Sequence, residues 1–128
     1  MFKMGKIEVY VCEPGNRQYY KEIDNTIEAM QELIGGYVEQ ISIPFLEKQN
    51  IYLMADEEGK MKGKDRSVWI DLDWVVGTCF FVKQKGGSFT TLSEKDKKAI
   101  EQYMSGEATT SVFHAMEQYI KENKRYKI

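Results

Sequence analysis

The sequence predicts an α+β domain: an antiparallel or mixed sheet of about five strands, one helix after the first hairpin and two C-terminal helices. Three observations carry that expectation. Short apolar or alternating runs recur at 6–12, 51–55 and 75–82, each bounded by turn-forming residues. Apolar residues spaced three and four apart follow capping residues near 25 and 93, and the same spacing returns at 112–120. The order of these segments is a hairpin, a helix, further strands and then two helices.

In the first segment Ile7, Val9 and Val11 point one way and Glu8, Tyr10 and Cys12 the other, the pattern of a half-buried strand. Glu13-Pro14-Gly15-Asn16 is turn chemistry, because proline presets φ and glycine accepts positive φ. The chain returns through 18–23 as the second arm of a hairpin. Asn25 is placed to cap a helix with Glu28 three residues on, and Ile27, Met30, Leu33 and Ile34 share its apolar face until Gly35-Gly36. Residues 37–45 read as a peripheral strand with Ile41, Ile43 and Phe45 on one face, since Pro44 is tolerated only near an edge or a strand end.

A strand at 51–55 turns at Asp56-Glu57-Glu58-Gly59 and feeds a second hairpin through Lys60-Met61. Residues 62–67 are polar and glycine-broken, the longest expected loop. The run 75–82 is the most hydrophobic and belongs at the centre of the sheet. Ser93 with Asp96 opens a helix carrying Ile100, Tyr103 and Met104, which Ser105-Gly106 breaks. Val112, Phe113, Met116, Tyr119 and Ile120 mark a last helix with cations in its final turn and tail.

At 128 residues, 42% hydrophobic and 30% charged, the chain has the proportions of one globular domain. A chain of this size buries roughly two thirds of its unfolded surface, so it needs no disulfide or metal staple. No apolar run approaches the ~18 residues of a membrane span, and the first six residues lack a secretion signal, so no membrane partner and a cytoplasmic address are expected. Cys12 and Cys79 read as free thiols, with a single bridge left open. The net charge of −2 makes no electrostatic case for nucleic acid. Residues 1–59 hold eleven acids and five bases and residues 60–128 nine acids and thirteen bases, so the halves carry −6 and +4.

The usual catalytic signatures are missing: there is no P-loop, dinucleotide fingerprint, nucleophile elbow or metalloprotease helix. His114 is the one histidine, and two cysteines and one histidine are too few for a closed zinc site. No catalytic residue, metal or cofactor is assigned. Asp71 and Asp73 share a side of an extended segment, and Asp56, Glu57 and Glu58 cluster in a turn; such acids hold a hard cation in some proteins but are commonly just solvated. Flat and cationic side chains gather near turns: Arg17, Tyr19 and Tyr20, then Lys62, Lys64, Arg66 and Trp69. Arginine forks onto phosphate while an aromatic face stacks on a base, which suits a nucleotide-like anion; the same aromatics also serve as packing residues with wet polar tips.

Several segments occur together in a familiar order. They are Val11-Cys12-Glu13-Pro14-Gly15, the stretch from Glu22 through Gly35-Gly36 to Glu39, Ala55-Asp56-Glu57-Glu58-Gly59-Lys60, and Val75-Val76-Gly77-Thr78-Cys79-Phe80-Phe81-Val82. Across about residues 6–104 the chain resembles the domain-of-unknown-function family numbered 3846, found in bacteria, their phages and conjugative elements. The resemblance implies an α+β domain and supplies no activity or site. Where family members often read leucine-proline-proline-asparagine-arginine, this chain has Lys62-Gly63-Lys64-Asp65-Arg66, and only Arg66 plainly matches. The helix at 109–122 and the basic tail fall outside the resembling core.

The glycines of these segments are explained by turns and a helix end, whereas Glu13 and Arg66 are not. With Arg17, Tyr20 and Trp69 they form the candidate ligand-binding set. The expectation is a non-enzymatic binding protein of a phage or mobile element that acts against a host system. It either sequesters a small anionic, nucleotide-like ligand or caps a host protein through a sheet edge or the last helix. The alternatives are a metal-assisted enzyme using Asp71 and Asp73, and a nucleic-acid accessory factor using Lys121, Lys124, Arg125 and Lys127. An uncovered edge or the last helix also offers a route to a homo-oligomer.

Overall fold

The computed structural model describes residues 5–70 and 73–105. Along the chain run β1 (Lys6–Glu13), β2 (Arg17–Asp24), α1 (Ile27–Ile34), β3 (Val38–Ser42), α2 (Pro44–Glu47) and β4 (Ile51–Asp56). They are followed by β5 (Arg66–Ile70), β6 (Asp73–Val76), β7 (Cys79–Lys85), β8 (Ser88–Thr90) and α3 (Glu94–Met104). The main sheet has the order β2-β1-β7-β4-β3, with β8 alongside the end of β7, and all its pairings are antiparallel. β5 and β6 form a separate hairpin. The α+β class predicted from the sequence is the one observed, with a six-stranded sheet in place of about five strands.

Both faces of this sheet are covered. On one, Ile7, Val9 and Val11 of β1 join Phe80 and Val82 of β7 beneath Met30 and Ile34 of α1. On the other, Cys12, Leu53, Cys79 and Phe81 lie under Leu46 of α2, Ile100 and Tyr103 of α3, and Val68 and Val75 of the β5–β6 hairpin. Double coverage explains why β7 has four successive buried residues, Cys79 to Val82, instead of an alternating pattern. The register sets Cys12 directly opposite Cys79, and both are free, fully buried thiols.

Local chemistry places most boundaries. Gly15 at φ 86° and Asn16 at φ 61° close the first hairpin. The cap of α1 is Thr26, whose hydroxyl accepts from the Ala29 N–H at 3.1 Å, and not Asn25, whose amide instead donates to the Phe89 carbonyl at 3.0 Å. Gly35 closes α1 at φ 78°. β3 stops at Ser42, short of the expected 37–45, because Pro44 takes the first turn of α2, where its missing N–H costs nothing.

Two further expectations are corrected. Residues 60–61 form no strand: after β4 the chain coils in successive turns, with the Lys62 N–H donating to the Glu58 carbonyl at 3.0 Å and that of Lys64 to Gly59 at 3.2 Å. The run 75–82 is divided at Gly77, whose φ of 75° turns the chain while its N–H donates to the Asp65 carbonyl at 2.7 Å. Val75 and Val76 therefore belong to β6 and only the remainder to the central β7. Gly86-Gly87, with φ of 59° and 83°, makes the tight β7–β8 turn. Ser93 and Asp96 form the predicted reciprocal capping box on α3. Asp71, the last helix, His114 and the basic tail lie outside the described residues.

Candidate functional site

The five candidate ligand residues fall into three local groups. Glu13 and Arg17 sit at the first hairpin, Arg17 Nε 3.9 Å from Glu13 Oε2 and its guanidinium 5.4 Å from the Tyr19 ring centroid. The Tyr19 phenol is raised, first by its hydrogen bond to Glu13 and then by burial. Tyr20 packs edge-on to Tyr10 at 4.9 Å, with Lys97 Nζ 4.9 Å from its ring centroid. Burial and then the neighbouring Glu101 carboxylate push the Tyr20 phenol up. Arg66 and Trp69 are joined through Trp74: the Arg66 guanidinium lies 5.3 Å from the Trp74 centroid, and the two indoles meet edge to face at 5.4 Å.

Through Trp74 the third group adjoins a groove of about 300 Å³ between the β3–β4 side of the sheet and the β5–β6 hairpin. Ile41 and Ala55 line it from the sheet, Ile70, Val75 and Val76 from the hairpin, with Trp74 bordering it, and Glu39, Glu57, Lys60 and Asp73 supply its charged groups. β5 and β6 can line it because Val68 and Val75, paired across the hairpin, are buried against the sheet. The next pair, Trp69 and Trp74, consequently faces outward, and Trp69 remains 37% exposed.

Charge along the groove is unbalanced. Lys60 Nζ is 2.7 Å from Asp73 Oδ2, and that hydrogen bond is the main reason the Asp73 carboxyl lies below its ordinary range. Asp56, fully buried at the end of β4, takes a hydrogen bond from Lys62 Nζ at 2.9 Å, an ion pair with Lys64 Nζ, and the Glu58 N–H at 2.9 Å. Burial alone would raise this carboxyl, but the hydrogen bonds from Lys64, Lys62 and Glu58 hold it well below the usual carboxylate range. Lys64 Nζ also donates to the Ile34 carbonyl at 3.0 Å and Lys62 Nζ to that of Gly35 at 3.4 Å, satisfying the C-terminal carbonyls of α1. The loop lysines read as ligand-seeking cations are thus bound from within. Among the described residues, the carboxylates of Glu39 and Glu57 have no ion-pair partner, so the groove carries an excess of negative charge.

Two components of this site escape a reading of isolated motifs. Asp56 looks like one of three solvated turn acids, and nothing local marks it as the one that turns inward. Trp74 was detectable: Val68-Trp69 ahead of Trp74-Val75 is a mirrored pattern that pairs like with like across a hairpin. For the expected Asp71–Asp73 pair, Asp71 lies outside the described residues and Asp73 is engaged by Lys60. Among the described residues no three His, Cys, Asp or Glu side chains gather as a metal site. No described helix is long and apolar enough to cross a membrane.

The architecture defines an α+β domain built on one antiparallel sheet with both faces covered. Residues 7–121 match the family model Domain of unknown function (DUF3846), and the chain belongs to that family. The match continues past the boundary near 104 suggested by the resembling segments, through most of the last predicted helix. No curated protein and no solved structure matches the chain.

Proposed function

We propose that this chain is a non-enzymatic interaction protein of a phage or mobile element that engages a host protein through the groove and the Arg66–Trp74–Trp69 array beside it. The observation carrying this reading is the array itself: Arg66 and Trp69 each contact Trp74, and Trp74 borders a groove. Tryptophan and arginine are among the side chains that most often dominate protein interfaces: tryptophan buries a large flat surface with only two torsions to freeze, and arginine offers a planar fork of five donors that stacks on aromatic faces. The mobile-element context is supported by the resemblance to chains of bacteria, phages and conjugative elements.

Charge favours a protein over the alternative occupant, a nucleotide-like anion. Phosphates brought into the groove meet Glu39 and Glu57, while Lys60, Lys62 and Lys64 are already paired with carboxylates. The test is cross-linking in a bacterial host followed by quantitative mass spectrometry, comparing the wild-type chain with Arg66→Ala/Trp69→Ala. A host protein enriched by wild type and depleted at least tenfold by the variant is the expected result. Equal recovery by both chains overturns the reading, as does a nucleotide released on denaturing the purified wild-type protein.

A further inference from the structure

We infer that the partner contributes an extended basic segment, which adds as a further strand to the outer edge of β3 and points its cationic side chains into the groove. This rests on the interaction-protein reading above and specifies the chemistry of what is held. The hydrogen-bond phase of β3 identifies the groups available. The Glu57 N–H donates to the Tyr37 carbonyl at 2.9 Å, one step beyond the Val38↔Asp56 pair. Because bonded and non-bonded pairs alternate in an antiparallel ladder, Glu39 and Ile41 spend their backbone groups on β4. Val38, Gln40 and Ser42 turn theirs outward, and among the described residues no strand pairs with that edge.

Side chains alternate in the same phase. Glu39 and Ile41 face the groove, and Gln40 and Ser42 the opposite side. A strand added at this edge sets its own groove-side residues next to Glu39 and Ile41, where cross-strand partners touch. A lysine or arginine there meets the unpaired Glu39 carboxylate, reaches toward Glu57, and lays its methylene stem along Ile41, with Ile70 across the groove. Main-chain bonds supply affinity in such additions and alternate side-chain positions supply selectivity. Beside the other outer edge, β2, the acids Glu22, Asp24 and Glu32 share a concavity with Lys6 and Lys21, and Lys6 Nζ lies 2.7 Å from Asp24 Oδ1, so cations of the chain itself already stand among those acids.

The probe is a fluorescent nine-residue peptide alternating lysine and valine, titrated against the full-length chain by anisotropy. Its comparators are a glutamate–valine peptide and a lysine–valine peptide N-methylated at alternate residues. Binding of the lysine peptide, weakened by added salt and at least tenfold tighter than either comparator, is expected. Two variants localise it. Gln40→Pro removes an outward N–H without touching the β4 ladder, and Glu39→Lys reverses the facing charge; each should weaken binding at least tenfold while circular dichroism and the melting temperature remain those of wild type. Equal binding of all three peptides, no binding of any, or unchanged binding by a folded Gln40→Pro overturns the inference. If Arg66→Ala/Trp69→Ala loses the host protein but Gln40→Pro and Glu39→Lys retain it, strand addition fails and the interaction reading stands. If all of them retain it, both fail.

Discussion

Asp56 ties three segments together through one carboxylate. Lys62 and Lys64 reach it from the turns after β4 while also capping α1, and Gly36 must lack a side chain there, since a Cβ would lie 2.7 Å from Lys62 Nζ and 2.8 Å from the Asp56 oxygens. Removing one member of a fully buried pair costs about 3–5 kcal/mol; because both lysines keep some access to water, Asp56→Ala should cost somewhat less, about 2–3 kcal/mol. Urea titration at neutral pH measures it. The folded-state pKa is depressed, so the stability contributed by the charge is present above roughly pH 4 and drains away as the pH falls toward the folded-state value. The gap between wild type and Asp56→Asn should therefore narrow steadily on acidification below about pH 4, and a constant gap would contradict the ionic account. None of this is legible locally: Asp56, Glu57 and Glu58 are equivalent acids until tertiary packing brings the end of α1 over one of them. Arg66 and Trp69, by contrast, were readable as surface residues, because a polar glycine-broken loop leads into them.

Elements whose boundaries are set by neighbours in sequence were the readable ones. The α3 box is complete within four residues: the Asp96 N–H donates to Ser93 Oγ at 3.1 Å and the Ser93 N–H to Asp96 Oδ2 at 2.9 Å. Asp96 gains an outside partner in Lys83, at 3.1 Å, and its carboxyl lies below its usual range because these bonds outweigh the opposing effect of burial. Loss of such a cap costs about 1 kcal/mol, and Ser93→Ala should destabilise by that amount, read as a lower urea midpoint at unchanged slope. Where two adjacent residues are both competent, local chemistry does not choose. Asn25 and Thr26 can each cap α1, and the contact of Asn25 with β8, 64 residues away, decides in favour of Thr26. The undivided reading of 75–82 failed for a related reason. Gly77 turns the chain because Asp65, far back in sequence, accepts its N–H, and an apolar run records burial without recording direction.

The order β2-β1-β7-β4-β3 places β1 beside a strand that follows it by some seventy residues, a pairing that periodicity cannot reveal. Once made, it puts β1, β7 and β4 in the interior of the sheet with covers on both faces, and leaves β3 and the β5–β6 hairpin at the margin. Local opening is easiest where few buried groups are lost, so amide protection should grade from margin to centre. By NMR-detected hydrogen exchange, the N–H groups of Val9, Val11, Phe80 and Val82, each within a fully buried residue, should exchange slowest. Within β3 the rates should alternate: Val38, Gln40 and Ser42 fast, Glu39 and Ile41 slow, because only the latter pair bonds to β4. Uniform protection along β3 would mean that its outer edge is already occupied in the free protein, leaving no place for an added strand. Alternation that disappears when the basic peptide is present, through slowing of Val38, Gln40 and Ser42 alone, ties occupation of that edge to recognition of the partner.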